Sequence, residues 1–189
     1  MAGKLVILSG PSGAGKSTIV KHLLDNGAYN LVFSISACSR KIREGEVNGK
    51  DYHFMSIDAF KTKIEENSFL EWEEVYPNHY YGTLRSQVEE FRTAGKNVIF
   101  DVDVMGGINI KRFYKENAIS IFINPPSLEE LESRLKMRKT ETDESIAKRV
   151  RKAKMELAYA KKFEHIITND KLDNALKEVD ELVSNFLNQ

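Results

Sequence analysis

The segment Gly10-Pro11-Ser12-Gly13-Ala14-Gly15-Lys16-Ser17-Thr18 places four residues between a first glycine and Gly-Lys-Ser, after an apolar run and before a helical pattern. Glycines let such a loop curl until successive backbone N–H groups point inward, and the helix that starts near Lys16 adds the positive end of its dipole. The result is a cradle for the phosphates of a nucleoside triphosphate. Lys16 suits the β- and γ-phosphates, and the Ser17 hydroxyl suits a magnesium ion. A glycine-rich turn without a ligand is the plainer reading, and the strand before and helix after argue against it. The loop alone does not choose among GTPases, motor ATPases and small-molecule kinases. A GTPase needs a base-reading Asn-Lys-x-Asp, which the chain lacks.

Other residue types are spaced for the same chemistry. Arg40 and Arg43 are planar forks three residues apart, suited to a phosphate monoester. Tyr52 and Tyr81 can each offer a hydroxyl to that phosphate. Asp101 and Asp103 lie two apart at the end of an apolar run, so on a strand both side chains face one way. Asp103 has an alternative as the cap of a helix starting near Val104. Arg134 and Arg138 share a helix face, and Arg149 falls on the next helix. Taken singly, most of these residues read as solvated charges or half-buried rings. The four histidines show no metal-ligand spacing, and the only cysteine, Cys38, excludes an intrachain disulfide or a cysteine-based metal site.

These residues need a scaffold, and the apolar runs supply one. Leu5-Val6-Ile7-Leu8, Asn97 to Asp103 and Ala118 to Ile123 read as strands buried on both faces of a parallel sheet, each beside a helical pattern. A first helix is expected over about 16–26, a last strand over 165–168, and a closing helix over 172–187. Strands alternating with helices imply an open α/β sheet with its ligands at the carboxyl ends of the strands. Between about 34 and 83 the pattern breaks into charges, glycines and aromatics. Asp51-Tyr52-His53-Phe54 there looks like a small antiparallel strand in an inserted subdomain. From about 127 to 163 the chain is helical and charged, with a turn near Lys139 to Asp143, as a mobile cover would be.

Length and composition agree with one globular body: 189 residues, 41% apolar and 30% charged, which leaves disordered and low-complexity readings without support. Lys plus Arg equals Asp plus Glu at 28 each, so no global field draws nucleic acid. Any phosphate binding must be local. The early apolar run is too short for a membrane span and lacks a signal-peptide layout, so a cytoplasmic protein without membrane or nucleic-acid partners is expected.

The stretch from Phe33 to Phe54, together with Phe69-Leu70-Glu71-Trp72, Tyr80-Tyr81-Gly82-Thr83 and Asp101-Val102-Asp103, strongly resembles guanylate kinase. The likeness runs from the glycine-rich loop to Asn169-Asp170, nearly the whole chain. It implies a P-loop three-layer α/β fold with a central mostly parallel sheet, a core over about 1–33, 84–126 and 158–189, a small β-rich GMP-binding subdomain over about 34–83, and a helical lid over about 127–157. It also implies magnesium-dependent transfer of the γ-phosphoryl group of ATP to GMP, and to dGMP with it. The resemblance gives Glu71 the guanine N1–H and 2-amino group, and Ser36 and Thr83 the O6 and N7 side. Glu46 becomes the acidic residue that orients the site, its partner unassigned. Arg40, Arg43, Tyr52 and Tyr81 hold the GMP phosphate. Asp101 and Asp103 stand near the waters of the metal and the bound GMP. Arg134, Arg138 and Arg149 converge on the phosphoryl group, and Asn169 lies beside the adenine. The chain departs from the commonest pattern at Cys38-Ser39, where two threonines are usual, at Ile42, where a proline is usual, and at Lys139, where a glycine is common. Cys38 reads as a small packing residue. A kinase for another nucleoside monophosphate and a non-catalytic binding module remain the alternatives.

Overall fold

The computed structural model describes residues 2–137 and 142–189. The chain begins with β1 (Leu5–Ser9), α1 (Lys16–Asp25) and β2 (Leu31–Phe33). Next come β3 (Ala37–Cys38), β4 (His53–Phe54), α2 (Ile57–Glu65) and β5 (Phe69–Tyr76), then β6 (His79–Leu84) and α3 (Arg85–Thr93). The second half alternates β7 (Asn97–Asp101), α4 (Val104–Tyr114), β8 (Ala118–Asn124), α5 (Leu128–Met137), α6 (Asp143–Leu157), β9 (His165–Thr168) and α7 (Leu172–Leu187).

Five strands form one parallel sheet in the order β2-β7-β1-β8-β9. The continuous apolar runs have their cause here: β1 is buried at all five positions because helices cover both faces. Val6 and Leu8 pack with Ile19 and Leu23 of α1 and with Val179 and Val183 of α7. Leu5 and Ile7 point the other way, onto Val88 of α3 and Ile110 of α4. Helix α7 presents Ala175, Val179 and Val183 at four-residue spacing, which gives it one buried face. The expected bounds of this helix and of β9 are those observed. Among the described residues, no helix is long and apolar enough to cross a membrane.

The second sheet, in the order β4-β3-β6-β5, is carried by the 34–83 region. Its own small core joins Ala37, Phe60, Phe69 and Tyr80. Two expectations are corrected here. The segment 51–54 contributes only β4, and β4 runs parallel to β3, because the antiparallel edge of β3 is taken by β6. The helix α2, capped by Ser56, and the long strand β5 were not anticipated, nor was β2. Along β5 the pleat sends Glu71 and Glu73 into a cleft beside the main sheet, while Trp72 sits half exposed, its ring 6.3 Å from that of Tyr80.

The main sheet reverses its direction of growth at β1, where β7 and β8 are the two neighbours. Leu8 pairs with Asp101 and Ser9 with Phe122, so the turn after β1 and the end of β7 emerge side by side. That turn begins at Gly10, whose φ is +138°, and a Cβ there would stand 2.3 Å from the Ile123 carbonyl oxygen. Backbone rather than a flexible side chain blocks the space. Gly10→Ala should therefore lower the unfolding free energy by about 2 kcal/mol or more, read from the urea midpoint. An unchanged midpoint would show that β8 yields at no cost.

Candidate active site

The loop that leaves β1 is held from behind. Asn169, buried at the end of β9, donates its side-chain N–H to the Ala14 carbonyl at 2.8 Å, and a Cβ on Gly15 would lie 2.3 Å from that same amide nitrogen. Gly15, at φ +97°, is also the residue that starts α1. The Lys16 ammonium donates to the Gly10 carbonyl at 2.7 Å and lies 3.8 Å from Asp101 Oδ1. Ser17 donates its hydroxyl to Asp101 Oδ2 at 3.2 Å. Arg149 of α6 reaches the loop from above and donates to Ser12 Oγ at 2.7 Å. A cavity of about 240 Å³ is bounded by Gly10, Ser12, Lys16, Asp101 and Arg149. Three pieces of the fold thus meet around a phosphate-sized space in which Lys16, Arg149 and Lys152 face Asp101, Asp103 and Glu156.

Next to it lies a second cavity of about 210 Å³, walled by the smaller sheet and by the residues after β7. Asp101 and Asp103 line both cavities. The strand β7 ends at Asp101, so the two carboxylates do not share a strand face as expected. Asp103 is the cap of α4, its Oδ1 accepting from the Gly106 N–H at 2.7 Å. The turn into the helix brings it back to the same space.

Behind Tyr52 and Tyr81, Arg40 is buried. Its guanidinium donates to both carboxylate oxygens of Glu46, at 2.7 and 2.5 Å, and its Nε donates to the Tyr81 hydroxyl at 3.1 Å. The Tyr52 ring lies 5.0 Å from Arg40 Cζ, and Tyr52 and Tyr81 meet edge to face. Glu46 also accepts from the Arg43 backbone N–H at 2.8 Å. The structure therefore supplies the partner of Glu46 that the sequence left open. The Arg40 hydrogen bond holds the Glu46 carboxyl well below the usual carboxylate range, at about 2. Arg43 joins this group by its backbone hydrogen bond and by the charge of its exposed side chain, which also favours the ionised Glu46. Cys38 is fully buried in β3, and burial pushes its thiol up, as befits a packing residue.

The floor of the second cavity is acidic. Glu71 accepts the Thr83 hydroxyl at 2.6 Å, and burial raises its carboxyl to about 7. Ser36 lines the same space. Glu73 is raised to about 7 by its hydrogen bond to Asp103 and then by burial. For Asp103, burial pushes upward, but the Glu73 and Gly106 hydrogen bonds prevail and lower it, so the shared proton resides on Glu73.

A family described as guanylate kinase matches residues 2–186 of this chain. The chain belongs to the guanylate kinase family. A guanylate kinase of Bacteroides thetaiotaomicron is 50% identical over 189 residues, covering 100% of this chain and 92% of that protein. One of Porphyromonas gingivalis is 48% identical over 184 residues, covering 97% and 98%. A crystal structure of guanylate kinase from Anaplasma phagocytophilum superposes with a TM-score of 0.77 at 26% identity, covering 100% of this chain and 88% of that one.

Against the guanylate kinase pattern, Lys16, Arg149 and Asp101 come together around the first cavity, with Ser17 joined to it through its hydrogen bond to Asp101, and Ser36, Tyr52, Glu71, Tyr81, Asp101 and Asp103 come together around the second. Thr83 and Glu46 attach to this group through Glu71 and Arg40. Thr18 opens the second position beyond Lys16 in α1 and is exposed. Arg134 is turned elsewhere: it donates to Glu130 at 2.9 Å and to the Asn169 carbonyl at 3.1 Å. Arg138 and Lys139 lie outside the described residues. Sequence reasoning missed Glu73, Lys152 and Glu156, which also line these cavities. The alternation Glu71, Glu73 on a strand and the spacing Arg149, Lys152, Glu156 on a helix were the signals available for them.

Glu71 has a consequence for stability. A carboxyl that sits near 4.5 when unfolded and about 7 when folded costs stability as pH rises between those values, because the folded state holds the proton longer. Glu71→Gln removes that cost. Relative to wild type, the variant should gain about 1–2 kcal/mol between pH 4.5 and pH 8, after discounting for the half-buried position of the residue. Parallel unfolding curves at the two pH values check it, and an unchanged difference would show that Glu71 titrates normally.

Proposed function

We propose that the family's reaction, transfer of the terminal phosphoryl group of ATP to GMP, runs here by direct in-line displacement between the two adjoining cavities. The observation that carries this reading is their shared wall: Asp101 and Asp103 border both the loop cavity, with Lys16 and Arg149, and the cavity with Ser36, Glu71 and Tyr81. A donor phosphate in one and an acceptor phosphate in the other meet at Asp101. The loop Gly10 to Thr18 takes the ATP phosphates on its inward N–H groups, with Lys16 turning from the Gly10 carbonyl to the β- and γ-phosphates. Asn169 supports this side by holding the Ala14 carbonyl.

The acceptor enters the second cavity with its phosphate toward Arg40, Arg43, Tyr52 and Tyr81. Arg40 is already oriented by Glu46, so little side-chain freedom is lost on binding. The Glu71 carboxylate receives the guanine N1–H and 2-amino donors, with Ser36 and Thr83 on the other edge. None of these roles falls on the 2′ position of the sugar, so dGMP is an acceptor too. The 34–83 region acts as the GMP-binding subdomain, 127–157 as the lid, and the remainder as the core. Closure excludes water and brings Arg149, with Arg134 and Arg138, to the transferring group. No general base is required, because the nucleophile is already a phosphate oxygen.

The residues fit magnesium. The Ser17 hydroxyl stands 3.2 Å from an Asp101 carboxylate oxygen, a hard-oxygen pair, and among the described residues no cluster of His, Cys, Asp and Glu competes as a metal cage. Ser17 would hold the ion together with the ATP phosphates, and Asp101 its waters. When bound, the ion neutralises charge developing on the phosphate oxygens. The balanced charge of the chain and its single buried cysteine support a cytoplasmic enzyme acting on small nucleotides, without nucleic-acid or membrane partners.

Coupled measurement of ADP formation with GMP, AMP, CMP and UMP offered separately should show turnover with GMP and roughly 10⁴-fold less with AMP, since an acceptor lacking the donors leaves the Glu71 oxygen that Thr83 does not engage without a partner. EDTA in excess should abolish it. Preference for another monophosphate would overturn the Glu71 assignment, and no acceptor-dependent turnover in a folded sample would favour a binding module. Arg149→Ala should lower kcat by about 10²-fold or more with the GMP KM nearly unchanged, because the arginine serves the transition state. An unchanged kcat would remove it from the reaction.

A further inference from the structure

Helix α4 carries two adjacent glycines close to its capped end, Gly106 and Gly107, and both are buried. Neither has the positive φ that other residues avoid, and glycine is a poorer helix former than alanine. Backbone conformation therefore does not explain them, and the space around them does. A Cβ on Gly107 would stand 3.0 Å from the Phe163 ring and 3.3 Å from Ile7 Cγ2, so this glycine serves the packing of the core. Gly106 makes room for something else. The three atoms nearest to a Cβ there would all belong to Glu71, with Oε2 at 3.0 Å and Cδ and Cγ at 3.2 Å.

The Glu71 carboxylate is thus bounded on two sides. The Thr83 hydroxyl, on the neighbouring strand β6, donates to Oε1 at 2.6 Å. Oε2, the oxygen that this hydroxyl does not occupy, stands against the bare backbone of α4 at Gly106. A side chain at 106 would compete for that space. The carboxylate would be the partner to yield, because it ends a flexible chain, whereas α4 is anchored by its Asp103 cap and by the close packing of Gly107 on Phe163. A methyl group would displace Oε2 by a few tenths of an ångström, enough to spoil the geometry of a hydrogen bond made there. We propose that Gly106 is a positioning residue that sets base specificity: by presenting no side chain it lets Glu71 Oε2 stand where the donors of the guanine edge reach it. The proposal rests on the reading of Glu71 as the residue that receives those donors. It places part of base recognition in the main body of the fold, although the side chains that would touch the base come from the 34–83 region.

Calorimetric binding of GMP and of ATP, each alone, to the full chain carrying Gly106→Ala tests it. The Kd for GMP should rise about fivefold, with that for ATP within about twofold of wild type. AMP offers Glu71 no such donors, so its inhibition constant against GMP should stay within about twofold, and discrimination between the two bases should narrow. Added to Glu71→Gln, the same change should weaken GMP binding by less than about twofold further, since the carboxylate it displaces is already gone. Gly107→Ala is the control for a general disturbance of α4: it should lower the urea midpoint and leave the Kd for GMP within about twofold. A crystal structure of Gly106→Ala should show Oε2 moved and α4 in place. An unchanged Kd for GMP, multiplying losses in the double variant, or an equal loss from Gly107→Ala would each overturn the proposal. So would a helix pushed aside with Glu71 unmoved. If Glu71→Gln alone binds GMP as wild type does, the reading of Glu71 fails first, and the proposal falls with it.

Discussion

The turn after β1 is the constraint on which the rest depends. A chain leaving the centre of a fully covered parallel sheet must expose its N–H groups to something, and here it curls so that they converge on one point. The curl leaves no room behind the loop: the Ile123 carbonyl presses on Gly10, and the Asn169 amide presses on Gly15. The neighbours β8 and β9 are therefore part of the loop, since each ends where a support is needed. The buried hydrogen bond from Asn169 to Ala14 ties the last strand to the first turn. Packing of β1 between α1, α7 and α4 in turn keeps those strand ends in register.

Around that fixed point, charge is arranged in two different ways. The loop side balances Lys16, Arg149 and Lys152 against Asp101, Asp103 and Glu156. The acceptor side gathers carboxylates, and the fold reduces their mutual repulsion in three ways. Glu46 is absorbed by Arg40, Asp103 is held by a helix N–H and by the Glu73 proton, and Glu71 keeps its own proton up to about neutral pH. A cluster of bare carboxylates of this density would repel an incoming phosphate. The protein meets that difficulty with local proton and hydrogen-bond arrangements rather than with net charge, which is zero for the whole chain.

Much of this was legible in the residues, and the exceptions have physical causes. The runs at Leu5, Asn97 and Ala118 announced themselves because strands buried on both faces need apolar residues at every position. The closing helix was equally plain, since one buried face imposes a helical period. Strand β2 escaped notice because three residues carry no period, and β5 because its cleft face bears carboxylates where a half-buried strand ordinarily shows apolar residues. Asp103 reaches the cavity as the cap of α4, the second of the two readings its position allowed, for alternation along a strand and capping of the next helix lead to the same place. Glu73 and Lys152 were invisible because each looks like a solvated charge until the cavity wall between them is drawn. The residues proposed to read the base and hold the phosphate came from resemblance to the family, not from spacing.

The pleat of β5 has an optical consequence. Trp72 is the only tryptophan of the chain, and it lies between Glu71 and Glu73 on the face turned away from the acceptor cavity. Its indole is half in water and rests near Tyr80, out of reach of anything bound between the carboxylates. Its emission therefore reports on the setting of the strand rather than on contact with a nucleotide, and the chain carries a built-in fluorophore on the outer face of its smaller sheet, free of quenching by the bases themselves.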